Sequence, residues 1–156
     1  MEHILNSRSP GIDFTSYLSY VESIQDRLPP HIYVFASDPR HFDLSSPSSL
    51  HDAWLETLSV REVATGMRNE IRKTEISLTL LGPAHDRRIH LSYTGVTGYS
   101  FTMPFQSVAH GDLLTHEIRL GVGKSYIHEI QFQNESTLLI EYGDMKHTEE
   151  INQNQT

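Results

Sequence analysis

The sequence contains no cysteine. This absence excludes disulfide bonds, zinc sites built on thiolates, and catalysis by a cysteine nucleophile. A chain of 156 residues is long enough to bury roughly two-thirds of its unfolded surface, so a single domain can be stable without disulfide bonds. A domain of this size without disulfides is typical of a reducing compartment, which favours a cytoplasmic location.

Long apolar runs and basic stretches are also missing. No segment approaches the roughly 20 apolar residues that a membrane-spanning helix needs, and the N-terminal segment lacks the features of a signal peptide. Aspartate and glutamate number 20 against 12 lysines and arginines, giving a net charge of −8. This charge disfavours nucleic acid and anionic membranes and suits a basic protein partner, although solubility alone also explains it. No pattern defines an oligomeric state.

One amphipathic helix is predicted near the N-terminus. After a polar arm over residues 1–12, apolar side chains recur at helical spacing between Asp13 and about Leu28. Asp13 is a suitable cap for the first turn, and Pro29-Pro30 ends the helix. We expect the apolar stripe to pack on the chain's own sheet; docking of a partner protein is the alternative.

Short runs of alternating apolar and polar residues dominate the rest of the chain, as in half-buried strands. Strands are predicted at His31–Ala36, Leu50–Arg61, Ile71–Leu81, Arg88–Tyr93, Gly98–Met103 and Thr137–Tyr142, with a hairpin within His110–Phe132. Near the start of Leu50–Arg61 the apolar residues shift from one face of the predicted strand to the other, which predicts a bulge. A short helix at Ser49–Glu56 is also allowed. Turns are expected at Val63–Asn69 and Thr94–Thr97.

These elements predict a mainly β fold of the α+β type. We expect an antiparallel meander of about seven to eight strands, curled into a sandwich or open barrel, with one N-terminal helix. The domain covers residues 13–145, and residues 146–156 form a polar tail.

The predicted hairpin places two histidines on one face. In LLTHEIRL and SYIHEIQF, His116 and His128 alternate with Leu, Ile and Phe, so both point toward the apolar side. A three-residue loop over Gly121–Gly123 would set His116 directly opposite His128. A longer loop would set His128 opposite Ile118. Both registers keep the histidines inward, because a slip by one residue would turn the apolar face to solvent.

Histidine is the residue type here that best suits a metal site. The candidate ligands are His51, His110, His116 and His128, since imidazoles combined with carboxylates bind zinc, nickel or iron. The alternative is a neutral core histidine with hydrogen-bonded ring nitrogens, and we favour it for the hairpin pair. Glu117 and Glu129 fall on the opposite face of the hairpin, where they cannot join those histidines.

No residue pattern predicts a catalytic group or a cofactor other than such a metal, so enzyme activity is not the favoured prediction. Gly123-Lys124-Ser125 lacks the upstream glycine and the following helix of a phosphate-binding loop. A small-molecule pocket inside the curled sheet is a further possibility. Its aromatic lining would come from Trp54, Tyr93, Tyr99 and Phe101.

Several segments of the sequence resemble segments of known protein families. The segments LHDAWL, LTLLGPAHDRRIHLSYTGV and HGDLLTHEIRL, within Leu28–Asp144, resemble small bacterial proteins of unknown function. The LHD string and the strand containing IHLSYTGV are also similar to immunity proteins of bacterial polymorphic toxin systems. That resemblance implies a cytosolic module that binds and inhibits a protein toxin. A metal-dependent enzyme or metal-binding protein, and a small-molecule binder, are the alternatives.

Overall fold

The computed structural model describes residues 1–7 and 11–152, which form a β sandwich with two helices. The helices are α1 (Thr15–Ser23) and α2 (Pro30–Ser37), and 3-10 turns follow them at Gln25–Arg27 and Pro39–His41. The strands are β1 (Leu5–Ser7), β2 (Gly11–Asp13), β3 (Trp54–Thr65), β4 (Ile71–Leu81), β5 (Arg87–Val96), β6 (Gly98–Thr102), β7 (Leu113–Leu120), β8 (Tyr126–Phe132), β9 (Thr137–Tyr142) and β10 (Asp144–Ile151).

Two antiparallel four-stranded sheets build the sandwich, in the orders β10-β5-β4-β3 and β6-β9-β8-β7, while β1 and β2 pair separately. Their inward side chains share one core, which includes Leu78, Leu91, Ile118, Ile130 and Ile140. The predicted mainly β, antiparallel architecture is confirmed. Within residues 1–7 and 11–152, neither helix has the length and apolar character needed to cross a membrane.

Strand β4 has the predicted bounds, and the predicted bulge lies between Leu55 and Thr57 of β3. Strand β3 continues to Thr65, so the predicted turn at Val63–Asn69 is shorter than expected. The predicted turn at Thr94–Thr97 is a crossing between sheets, because β5 belongs to the first sheet and β6 pairs with β9 in the second. The fold is therefore two sheets joined by crossings and not a simple meander.

The predicted strand at His31–Ala36 is wrong, since these residues belong to helix α2. Pro30 occupies the first helical position, where its missing N–H and fixed φ favour a helix start. Ile32, Phe35 and Ala36 are buried at helical spacing. The predicted helix Asp13–Leu28 is shorter than expected, because α1 ends at Ser23 and a 3-10 turn follows.

The polar tail predicted from residue 146 is wrong as far as Ile151, because Asp144–Ile151 forms edge strand β10 and pairs with β5 along its whole length. Residues 153–156 of that predicted tail lie outside the described residues. At the other end, the predicted arm contributes Ile4 to the core and strands β1 and β2 to a small ribbon. Residues 8–10 of the arm lie outside the described residues.

The β7–β8 hairpin adopts the second of the two predicted registers. Leu120 pairs with Tyr126, and His128 lies opposite Ile118. The connection is tightened by hydrogen bonds from Gly121 N to Ser125 O (2.9 Å) and from Ser125 N to Val122 O (3.2 Å). These bonds extend the loop beyond the three residues of Gly121–Gly123, and Gly123 adopts the positive φ that such a turn requires.

Two tyrosines of α1 cover the open edge of β7. The Tyr17 hydroxyl accepts a hydrogen bond from Ile118 N (3.0 Å), and the Tyr20 hydroxyl accepts one from Leu120 N (3.0 Å). A sheet edge otherwise leaves such N–H groups without partners. Tyr17 is fully buried, whereas Tyr20 is half-buried.

Replacing Tyr17 with phenylalanine is expected to lower the free energy of unfolding by about 1–3 kcal/mol, because the buried Ile118 N–H loses its acceptor. Tyr20→Phe is the matched control, and it should cost less because water can reach that site. Urea denaturation of both variants measures the difference. Equal losses would mean that the buried hydrogen bond adds nothing beyond the ring contacts.

Candidate metal centre

Four histidines surround the ring of Phe35 on the inner side of α2. Ring centroids lie 4.6 Å from His41, 4.9 Å from His147, 5.8 Å from His116 and 5.9 Å from His128. His41 ends the 3-10 turn after α2, His147 belongs to β10, and the other two come from the β7–β8 hairpin. The fold thus gathers imidazoles from three distant parts of the sequence.

Three potential ligand atoms converge at the outer end of this cluster. A ring nitrogen of His41, a ring nitrogen of His147 and a carboxylate oxygen of Glu149 all lie within 4.8 Å of one another. His147 Nε2 is 3.6 Å from Glu149 Oε1. Both residues project from the same face of β10, because alternate residues of a strand share a face. Two imidazoles and one carboxylate form a donor set that suits zinc and other divalent transition metals.

The protonation of His41 follows from its hydrogen bond. Its Nδ1 lies 2.9 Å from the backbone oxygen of Phe35, and a carbonyl can only accept, so Nδ1 carries the proton. The other nitrogen, Nε2, then presents a lone pair. Its side chain is only 1% exposed, and Nε2 has no hydrogen-bond partner among the described residues; the nearby Asp38 Oδ2 is 3.9 Å away. Metal-binding histidines are commonly oriented by this kind of bond to a carbonyl.

The other two candidate ligands are also positioned for coordination. His147 Nε2 is buried and, within the described part of the chain, has no hydrogen-bond partner. Glu149 uses Oε2 to accept hydrogen bonds from Arg87 Nη1 (2.9 Å) and Ser48 Oγ (3.0 Å). These bonds hold the carboxylate and leave Oε1 on the side of His147. Buried polar atoms normally have partners. Among the described residues the Nε2 atoms of His41 and His147 have none, and the same holds for His116 Nε2, but only the first two lie beside a carboxylate oxygen in one cluster.

Burial keeps both imidazoles in the neutral form that metals bind. It lowers the pKa of His41 from its ordinary value, against the opposing effect of the bond to Phe35. It lowers the pKa of His147 to about 4, with a further contribution from His41. Burial alone would raise the pKa of Glu149, but hydrogen bonds from Arg87 and Ser48 keep it below its usual value. At neutral pH the three side chains therefore offer two lone pairs and one negative charge.

A surface cleft of about 750 Å³ opens beside these residues, between α2 and β10. His41 and His147 line it together with an apolar wall of Pro30, Val34, Phe35 and Met145. At another part of the lining, His31 Nε2 lies 2.5 Å from Asp144 Oδ1. The cleft thus reaches the two histidines of the centre but not Glu149, and the Nε2 atoms of both histidines are buried.

Two of the four histidines predicted as ligands come together. His116 Nδ1 lies 3.0 Å from His128 Nε2, and the Tyr93 hydroxyl lies 2.7 Å from His128 Nδ1. The two histidines touch diagonally, although their strand register does not place them opposite each other. This buried Tyr93–His128–His116 chain continues toward His41, whose ring centroid is 6.4 Å from that of His116.

The other two predicted ligands lie elsewhere. His51 Nδ1 donates to Leu114 O at 2.7 Å, and His110 packs against the rings of Phe101 and Phe132. A common site for all four predicted ligands is therefore not formed. The assignment of His116 and His128 to a metal stays a prediction, separate from the centre at His41, His147 and Glu149.

The four aromatic residues predicted to line one pocket occupy different surroundings. Trp54 is about half exposed and contacts the ring of His85, Tyr93 is buried between the sheets, and Tyr99 is half exposed. Phe101 packs against His110. No ring contact joins any two of these four side chains among the described residues.

Sequence reasoning missed His41, His147 and Glu149. His41 follows a short 3-10 turn that has no periodic signal. His147 and Glu149 lie in a polar stretch interpreted as a tail, although the alternation of Met145, His147 and Glu149 is that of an edge strand. That alternation was the available signal.

No protein-family model matches the sequence, and no curated protein matches it. Function is therefore inferred from the side chains and their geometry.

Proposed function

We propose that this protein binds a divalent transition-metal ion, with zinc as the best fit, through His41, His147 and Glu149. The observation that supports this most directly is the pair of buried imidazole nitrogens that lack partners beside a carboxylate oxygen. Zinc needs ligand distances of roughly 2.0–2.2 Å, which bring neighbouring ligand atoms to roughly 3.3 Å in a tetrahedral site. His147 Nε2 and Glu149 Oε1 are already 3.6 Å apart.

The surroundings supply what a metal centre needs beyond its ligands. Hydrogen bonds from His41 to Phe35, and from Arg87 and Ser48 to Glu149, orient the donors, as outer-shell contacts do in metalloproteins. Three protein ligands leave a coordination position for water or another molecule on the cleft side. Such a centre is compatible with Lewis-acid chemistry, so a metal-dependent enzyme falls within this proposal.

Metal content after equilibration with zinc and exhaustive dialysis tests the proposal. We expect one zinc per chain in the purified protein, and at least tenfold weaker binding in His147→Gln and Glu149→Gln. Both positions are partly exposed on an edge strand, so these variants should remain folded. His31→Gln is the matched control, since it removes a histidine that lines the same cleft without touching the centre.

The outcomes separate the two possible histidine sets. Loss of zinc in His116→Gln with full retention in His147→Gln would assign the metal to the hairpin pair and contradict the proposal. Absence of stoichiometric zinc, cobalt and nickel in the unmodified protein would also contradict it.

A protein-binding role, as in toxin immunity, is the second candidate. The observation in favour of it is strand β3, an edge strand of 12 residues that exposes Val60. Met67 in the following turn and Ile71 at the start of β4 are also exposed. Open edges with apolar side chains can pair with a strand of another protein. The test is inhibition of a toxin encoded by a neighbouring gene. Inhibition that is lost in Val60→Lys would support this role, and binding unaffected by that change would exclude the β3 edge.

A further inference from the structure

The charge around the proposed metal centre favours an anion as the remaining ligand. Two neutral imidazoles and one carboxylate leave a divalent ion with one uncompensated positive charge. Arg87, hydrogen-bonded to Glu149, further reduces the negative charge available to the ion. An anionic group that completes the coordination would neutralise the ion in a partly buried place, where unpaired charge is costly.

The other charged side chains in the cleft lining are two pairs and Lys146. Arg40 donates to both carboxylate oxygens of Asp38, with the shortest contact at 2.7 Å. His31 is paired with Asp144. The charge of Asp38, whose Oδ2 lies 3.9 Å from His41 Nε2, is thus already balanced by Arg40, and both pairs can stay intact when a small molecule enters.

The cleft is far larger than an inorganic anion and is partly apolar. Its volume of about 750 Å³ falls in the range of pockets that hold small organic ligands. Val34 lies on the cleft side of α2 and is 64% exposed, next to the side chains of Phe35 and Met145. An exposed valine in a concave surface gains by contact with an apolar ligand.

From these observations we propose that the metal-loaded cleft binds an organic carboxylate, with the carboxylate on the ion and an apolar body against the exposed side chains of Pro30 and Val34. This inference rests on the proposed metal site and specifies its ligand class. A bare phosphate would satisfy the charge and leave the apolar wall uncovered.

Cobalt(II)-loaded protein provides the test, because its visible absorption reports first on metal uptake and then on a change of ligand. Benzoate and hexanoate are titrated against acetate and inorganic phosphate. We expect benzoate or hexanoate to change the spectrum at concentrations at least tenfold lower than acetate. Val34→Ser should weaken benzoate binding about fivefold and leave acetate and cobalt binding unchanged. Val60→Ser, which removes an exposed valine outside the cleft, is the matched control.

The results separate the two claims. If cobalt(II) gave no visible absorption band with the protein, the proposed metal site would be contradicted, and this inference would be contradicted with it. A cobalt spectrum that responds equally to acetate and benzoate, or most strongly to phosphate, would overturn the inference and leave the metal site intact. Equal effects of Val34→Ser and Val60→Ser would also overturn it.

Discussion

Replacing Arg119 with methionine is expected to lower the free energy of unfolding by about 3–5 kcal/mol. The buried carboxylate of Glu117 loses its cation, and that of Glu129 keeps only the N-terminal ammonium, 2.6 Å from Oε1. Arg119 Nη1 donates to Glu117 Oε1 at 2.9 Å and to Glu129 Oε2 at 2.7 Å. Glu117 is 0% exposed and Glu129 is 6% exposed. The two glutamates lie directly opposite each other in the β7–β8 register, so their charges repel when the arginine is absent.

The Glu117 carboxylate makes further contacts with the N-terminal segment. It accepts hydrogen bonds from the backbone N–H groups of Glu2, His3 and Ile4, at 2.6–3.1 Å. These bonds hold the first residues of the chain over the outer face of the hairpin. Loss of Arg119 should therefore also loosen that segment, which hydrogen exchange of residues 2–4 would detect as faster exchange.

The matched control is Arg61→Met. Arg61 pairs with Glu75 at 2.9 Å, but its side chain is 70% exposed, and exposed pairs contribute less than about 1 kcal/mol. Urea denaturation of both variants at neutral pH compares a buried and an exposed arginine in the same fold. If the free energy of unfolding fell by a similar small amount in both variants, the buried cluster would contribute no net stability to the fold.

The β7–β8 hairpin shows which structural features the alternation of apolar and polar residues predicts and which it does not. Alternation correctly predicts that His116 and His128 point inward and that Glu117 and Glu129 share the other face. Alternation does not predict that this other face is buried, because its cover comes from residues more than 100 positions away. The choice between the two registers that keep the histidines inward also depends on loop hydrogen bonds at Gly121 and Ser125. The alternation of apolar and polar residues does not predict these bonds.

Helix α2 and strand β10 show why the candidate metal centre was out of reach. The six residues of His31–Ala36, five of them apolar, fit a strand as well as a helix, and only the position of Pro30 favours the helix. In β10 only Met145 and Ile151 are apolar, so the alternation of Met145, His147 and Glu149 is a weak signal and the stretch resembles a polar tail. Both elements contribute to the centre. Because α2 was predicted as a strand and β10 as a tail, the metal centre between them was not predicted.

Acid is expected to destabilise this fold through the buried chain of Tyr93, His128 and His116. Burial lowers the pKa of His128 to about 3 and holds the pKa of His116 well below its ordinary value. A histidine with a lowered pKa in the folded state takes up a proton on unfolding. Its contribution to stability is therefore complete above about pH 6.5 and is lost as pH falls from there toward about 3.

For His128 alone, the expected loss is about 1 kcal/mol per pH unit and about 3 kcal/mol between pH 7 and pH 4. The measurement is the free energy of unfolding of metal-free protein at several pH values in that range. In His128→Gln the pH dependence should become shallower by about that amount, because glutamine does not titrate. Stability at pH 7 should also fall, since the Tyr93 and His116 hydrogen bonds are altered. Zinc binding should be retained, because His128 is not among the proposed ligands.

Val60→Ser serves as the control for this pH series. Val60 is exposed and carries no titratable group, so its replacement should leave the slope between pH 7 and pH 4 close to that of the unmodified protein. An unchanged slope in His128→Gln would mean that His128 is protonated in the folded state, and therefore that water or a carboxylate reaches the Tyr93–His128–His116 chain. A shallower slope together with normal zinc content would assign the hairpin histidines to the core and leave His41, His147 and Glu149 as the metal ligands.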